Sequence, residues 1–184
     1  VHPRPGFRGG IELSSGPITY FEIRSEPLAQ TASLSRASKI AELKEGIEQT
    51  IQATILELSS SSHASAICGK CGAPIGFSQN TAICEKCNSS QQVEISATLF
   101  LHIDDGSGHI DSIVESPQSN AILAQDSKWI LKNIVEKKTP KIQLTIETLS
   151  RLIGMRILVD GVLTRNPKND RMVFRINKVH AIVP

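Results

Sequence analysis

Aromatic residues are scarce in this chain: one Trp, one Tyr and five Phe among 184 residues. A surface that works by stacking rings on planar ligands can therefore rest on one or two of them at most, which counts against tight binding by stacking alone. An excess of one charge is lacking too. Twenty basic residues face eighteen acidic ones, a net charge of +2, so a polyanionic partner cannot be argued from the total and must be argued from where the charges lie. No apolar run approaches the roughly 20 residues of a membrane-spanning helix. Val1–Gly10 carries prolines and arginines where a signal peptide needs an apolar core, so neither export nor membrane insertion is expected. Missing as well are a phosphate-cradling Gly-Lys loop and a Gly-x-Ser-x-Gly elbow. His102, Asp104, Asp105, His109 and Asp111 crowd together as a nuclease-like metal cluster would, but Asp-Asp-Gly-Ser-Gly is what a tight turn asks for. No second carboxylate motif completes a site, and an enzyme is not expected.

The few cysteines that are present carry most of the information. Cys68 and Cys71 form CGKC, Cys84 and Cys87 form CEKC, and twelve residues separate the pairs. Each C-x-x-C turn can place two thiolates on one metal, and two such turns complete a tetrahedral zinc site. The competing reading is two disulfides, which belongs to an oxidising compartment. Nothing points to export and no thiol is left over, so the expectation is one structural zinc. Lys70 and Lys86, inside the two knuckles, are placed to offset the net negative charge of a zinc tetrathiolate.

Along the chain, Gly6–Arg24 reads as two short strands around Ser-Ser-Gly-Pro, followed by a polar connector to residue 35. Two strands are not an independent fold, so this segment either packs on the main domain or ends a preceding one. From residue 36 to 184 a single domain is expected, with a zinc ribbon at 63–91. Ile47, Ile51, Ala53 and Ile55 share one parity of a half-buried strand, and Val93, Ile95, Ala97, Leu99, Leu101 and Ile103 share one parity of another. After the Asp104–Gly108 turn, His109–Glu115 returns as a third strand. Ala121–Val135 is expected to be a helix with Leu123, Ile130 and Ile134 on its apolar stripe. Thr139-Pro140 reads as the N-cap and first position of a second helix, carrying Ile142, Ile146, Leu149 and Ile153 and closed by Gly154. Met155–Arg165 and Arg171–Val179 are the last two strands.

A three-strand meander, intervening helices and two closing strands describe a mainly β fold, a five-stranded OB barrel. The ribbon is inserted between its first and second strands, and the helices lie between its third and fourth. On CEKC running into VEISATLFLHIDD, on VESPQSNAILAQ and on MRILVDGVLTRNPKNDRMVFRINKV, residues 35–184 resemble the C-terminal zinc-ribbon DNA-binding domain of the replication protein A large subunit. A specialised relative, of the telomere-capping or shieldin-like end-protection kind, fits equally. GFRGGIELSSGPITYFEI looks like the last hairpin of a preceding OB domain in such proteins. The resemblance implies single-stranded DNA as ligand, a role in DNA replication, repair or end protection, other OB-fold subunits as partners, and a nuclear location, or the archaeal cytoplasm for an archaeal source.

Within that frame Phe100 is the leading stacking candidate, because parity sets it opposite the core residues Leu99 and Leu101. Packing under a loop is the competing role. His102 and His109 flank it. Phe77 is read as the ribbon's own small core. From Met155 to Pro184 six bases, Arg156, Arg165, Lys168, Arg171, Arg175 and Lys178, stand against two acids, Asp160 and Asp170, and are the candidate phosphate contacts. Arg175 leads among them, since Met172, Phe174 and Ile176 take the core parity and leave it outward. The alternative function is an assembly module whose barrel face or helix holds another protein.

Overall fold

A computed structural model describes residues 2–5, 11–14, 37–78, 81–87, 93–167 and 169–183. Its contacts divide the chain into two units, residues 1–32 and 33–184. In the first, β1 (His2–Pro5) pairs antiparallel with β2 (Ile11–Ser14), His2 opposite Ser14 and Pro5 opposite Ile11. Of the hairpin expected over Gly6–Arg24, only Ile11–Ser14 lies within the described residues, and its partner there is upstream.

The second unit opens its sheet with β3 (Glu48–Leu58), in which Ile51, Ala53 and Ile55 alternate into the core. The expected parity holds from Ile51 onward, while Ile47, ahead of the strand, is exposed. A bulge between Ile55 and Glu57 then turns Leu58 inward. That bend lets one strand serve two neighbours. Its first half pairs with β10 (Arg156–Arg165) and its second with β7 (Val93–Asp104), Thr54 facing both Arg156 and Asp104. β7 continues antiparallel to β8 (His109–Glu115), β8 runs parallel to β11 (Met172–Val183), and β11 returns antiparallel to β10. The circuit β3–β7–β8–β11–β10–β3 is a closed five-stranded barrel, the OB fold expected from the sequence. Leu99, Leu101, Ile103, Val114, Ile157, Val159 and Phe174 fill it.

The insertion between β3 and β7 consists of β4 (His63–Cys68), β5 (Gly76–Ser78) and β6 (Thr81–Ile83). β4 pairs with the first half of β7, from Cys68 opposite Val93 to His63 opposite Thr98, so ribbon and barrel share one strand. Cys68, Ile75 and Cys84 belong to the same apolar cluster as the barrel interior, and the half-buried Phe77 packs against it.

The helical region departs from expectation in two ways. The helix expected over Ala121–Val135 is two helices, α1 (Gln118–Ile122) and α2 (Ser127–Glu136). Arg151 holds the break, donating from Nε to the Asp126 carboxylate at 2.8 Å and from Nη2 to the Ile122 carbonyl at 3.1 Å. Ile130 and Ile134 are buried as expected, whereas Trp129 is 41% exposed. The second helix does not form. Lys141–Gln143 is strand β9, pairing with the outer edge of β4, and only a single 3-10 turn follows at Ser150–Leu152. Thr139 is not an N-cap; its hydroxyl donates to the Lys141 carbonyl at 2.8 Å. The buried residues are Leu144, Leu149 and Leu152, while Ile146 of the expected stripe is 40% exposed. Ile142, Thr145, Ile146 and Thr148 are β-branched and helix-poor, and β4 offers an unpaired edge.

The turn joining β7 to β8 explains the acidic cluster. Asp105 Oδ1 accepts from the Ser107 hydroxyl at 2.7 Å and from the backbone N–H groups of Ser107 and Gly108, and its Oδ2 accepts from Ile40 N–H at 2.8 Å. Burial pushes its carboxyl pKa up, but the Ser107 hydroxyl and the Ile40, Ser107 and Gly108 amides outweigh it and hold the pKa below its ordinary 3.8. A depressed folded pKa gives stability that is full above 3.8 and is lost as pH falls through the lower folded value. Asp105→Ala is expected to lose about 2 kcal/mol at neutral pH. In urea titrations the gap to the parent should narrow once pH drops below 3.8; a gap independent of pH rejects this role.

Candidate metal centre and binding groove

Cys68 ends β4, and the chain reverses at once: Gly72 N–H donates back to the Cys68 carbonyl at 2.8 Å, and Cys68 N–H donates to the Ala73 carbonyl at 2.8 Å. Gly72 sits at φ +69°, a left-handed value suited to glycine, which turns the chain back so that the Ala73 carbonyl meets Cys68 N–H. Cys84 follows β6 directly, and Cys87 comes three residues later in a turn. All four sulfurs lie within 4.8 Å of one another, with Cys68 to Cys87 at 3.9 Å and Cys71 to Cys84 at 3.6 Å. Four sulfurs about 2.3 Å from a central tetrahedral ion stand roughly 3.8 Å apart, so the spacing fits such an ion. It does not fit a disulfide, whose sulfurs are about 2.05 Å apart.

The thiol electrostatics agree. Burial works to raise Cys68, but the Lys70 and Cys71 amides and the neighbouring sulfurs of Cys71 and Cys84 bring it down to about 7. Cys87 is pushed up to about 12, first by its contact with Cys71 and then by burial and the other two sulfurs. Thiolates so close together resist simultaneous ionisation until a cation sits among them. The set can hold a metal ion, and with four protein ligands it leaves no open position for chemistry.

The outer face of the barrel can be read as rows from its register. Phe100 on β7 lies opposite Ile113 on β8, and Ile113 lies beside Arg175 on β11. In the next row Glu57 on β3 faces His102, His102 faces Asp111, and Asp111 lies beside Val173. The β10–β11 loop brings Asn166, Asn169 and Arg171 over these rows. With Ser59 they enclose a groove of about 310 Å³. Phe100 is half-buried at its floor, and its backbone is fixed by the β3–β4 connection. Its N–H donates to the buried Ser62 hydroxyl at 2.9 Å, and its carbonyl accepts from Ser59 N–H at 2.8 Å.

The sequence-expected contacts are spread unevenly about this groove. Phe100, His102 and Arg171 line it. His109 stands next to it, its ring 5.0 Å from that of His102, and His102 Nδ1 is 2.9 Å from Asp111 Oδ1. Arg175 is exposed on the adjoining row. Arg165, at the base of the loop, is shared between Asp170 at 3.2 Å and Glu45 at 3.8 Å. Burial pushes the Asp160 carboxyl up, but Thr50, then His180 and last Lys178, which lies across from it, together hold its pKa below the ordinary value. Arg156 belongs to a separate polar hollow with Gln52, Thr54 and Asp104. Lys168 lies outside the described residues.

Glu57, Ser59, Asp111, Asn166 and Asn169 line the groove without having been expected there. In the sequence Asp111 is absorbed by the acidic turn cluster, and Asn166 and Asn169 belong to the polar turn Asn-Pro-Lys-Asn-Asp that joins the last two strands. Strict alternation from Ile55 places Glu57 on the core face, and only the bulge brings it out. A second, mostly apolar groove of about 320 Å³ runs between β7 and the helices, lined by Val93, Ile95, Leu123, Ile130 and Leu131.

Neither a family model nor a curated protein matches this sequence. Among solved structures the fold is similar to a replication protein A heterotrimer bound to single-stranded DNA, at 16% identity and TM-score 0.50 over 74% of this chain and 32% of that one. This chain therefore spans about a third of that chain's length. Similarity extends to yeast replication protein A bound to single-stranded DNA, at 14% identity and TM-score 0.49 over 87% of this chain and 90% of that one. The second OB-fold domain of replication protein A from Methanococcus maripaludis aligns at 11% identity and TM-score 0.38 over 78% of this chain and 92% of that one. At 16% identity the likeness to the heterotrimer is one of fold.

Proposed function

We propose that residues 36–184 form a non-catalytic OB module, stapled by one structural zinc ion on Cys68, Cys71, Cys84 and Cys87, that binds single-stranded DNA. It would act in the nucleus in replication, repair or end protection, beside other OB-fold subunits. The observation that carries this reading is the groove over β7 and β8, with an aromatic floor whose backbone is already fixed and with Arg171 and Arg175 at its margin. A barrel of this kind leaves that face and its flanking loops free for an extended polymer. Bases stack on an aromatic regardless of sequence, and the arginines supply phosphate contacts whose strength falls with salt. Phosphate contacts are expected from Arg171 and Arg175 first, and less from Arg165 and Lys178, which already face carboxylates. Arg156 would meet only a strand that continues around the barrel.

The test is titration of a labelled oligonucleotide at two salt concentrations. Phe100→Ala is expected to weaken binding by about 5- to 150-fold, the equivalent of 1–3 kcal/mol per stacked base. Arg171→Glu and Arg175→Glu should each weaken it and flatten its dependence on salt. Binding indifferent to salt and to all three substitutions would overturn the reading. The second reading, a module that mainly holds a partner protein, is favoured by the apolar groove between β7 and the helices. Loss of partner capture on Leu131→Asp, with no oligonucleotide binding by the parent, would support it.

A further inference from the structure

The groove is chemically odd for a site that takes any strand. A polyanion is repelled by carboxylates, yet Glu57 and Asp111 both line the space around Phe100. Among the described residues the Glu57 carboxylate has no hydrogen-bond or ion-pair partner. Asp111 offers Oδ1 to His102 and keeps its second oxygen. Asn169 Oδ1 accepts from Arg171 N–H at 3.2 Å, which leaves the amide nitrogen of Asn169 as a donor. The space therefore combines carboxylate acceptors in one row, an aromatic in the next row and an amide donor on the loop above.

We propose, resting on the strand-binding reading, that this groove is a base-selective pocket: it takes one unstacked base on Phe100 and favours bases with an exocyclic amino group, guanine above all, over thymine. The reason lies in the base edges. Guanine presents two adjacent donors, N1–H and the 2-amino group, which match a carboxylate, and beside them an oxygen that accepts from an amide. Cytosine and adenine offer one amino group each. Thymine offers a single N–H between two carbonyls, which set oxygens against the oxygens of Glu57 and Asp111. A site whose acceptors are left facing acceptors once a ligand covers them rejects that ligand more strongly than a site of apolar walls does. With an amino-bearing base bound, donors meet the carboxylates; without one they only repel the backbone.

The experiment compares a 15-mer of thymidine with the same strand carrying guanines at alternate central positions, and with a third strand carrying inosine there. Inosine lacks only the 2-amino group. Anisotropy titrations are run on the parent, Glu57→Gln and Asp111→Asn. The guanine strand is expected to bind at least about fivefold tighter than the thymidine strand. Inosine should fall between them, and Glu57→Gln should remove most of the preference. Melting curves of the variants should match the parent, since Glu57 and Asp111 are exposed. Equal binding of the thymidine and guanine strands, or a preference that survives both substitutions, overturns base selection while leaving strand binding intact. So does an equal gain for every strand on Glu57→Gln, which is what simple repulsion produces. Binding of no strand at all overturns strand binding itself and this inference with it.

Discussion

Stripping the metal from the folded protein is expected to release one zinc ion per chain and to lower the melting temperature by more than about 10 °C. Structural zinc contributes its binding free energy directly to folding, and in a domain of about 150 residues each kcal/mol moves the midpoint by about 2–4 °C. The ribbon has little else to stand on. β5 and β6 are three residues each, too short to persist as an isolated hairpin. Their packing is anchored through Cys68 and Cys84, both fully buried. The effect should not stop at the ribbon, because β4 ends on Cys68 and occupies the edge of β7 from Val93 to Thr98. Hydrogen exchange should therefore quicken in β4, β9 and the first half of β7, with β10 and β11 holding their protection longest. Cys84→Ser should reproduce the pattern without chelator. A chelated, metal-free protein with unchanged melting and unchanged exchange in β4 would remove the staple from the account.

The same shared strand explains what could be read from the sequence. β7 was legible because both of its halves have one buried and one outward face, so a single alternation runs through twelve residues. The cysteine pairs were legible because metal geometry dictates their spacing. The closing hairpin was legible because Phe174 and Ile176 alternate with Arg175 across it. What could not be read depends on partners distant in sequence. The bulge at Ile55 exists because β3 must leave β10 and join β7, a demand of barrel closure that no local pattern announces. It reverses the parity of Glu57 and so hid one groove carboxylate. β9 forms because β4, some 75 residues upstream in the insertion, presents an open edge; Ile142 and Ile146 at helical spacing gave the opposite indication. The break between α1 and α2 rests on Arg151, from beyond both helices.

Among the described glycines, Gly161 is where a single added methyl group is expected to cost most. A glycine inside a strand ordinarily weakens it, and Gly161 lies in the middle of β10 at a register shift against β11. Its place is explained by close approach. A Cβ there would stand 2.3 Å from the Arg175 carbonyl oxygen and 2.6 and 2.8 Å from Cε1 and Cζ of Phe174. The Phe174 ring is fully buried and cannot retreat into solvent, and the oxygen is backbone that cannot rotate aside. Gly161→Ala is therefore expected to cost about 3 kcal/mol or more in urea denaturation, at the upper end of overpacking. Gly76→Ala in β5, where a Cβ meets nothing within 4 Å, is the control and should stay within about 0.5 kcal/mol of the parent. Adding Phe174→Leu to Gly161→Ala should recover little, because it relieves the ring and leaves the carbonyl. Relief of the strain moves β11 at Arg175, which shares its row with Phe100 and Ile113. Oligonucleotide affinity should consequently fall in Gly161→Ala even under conditions where the variant is fully folded. A Gly161→Ala protein with parental stability would show that β10 and β11 are not packed this closely.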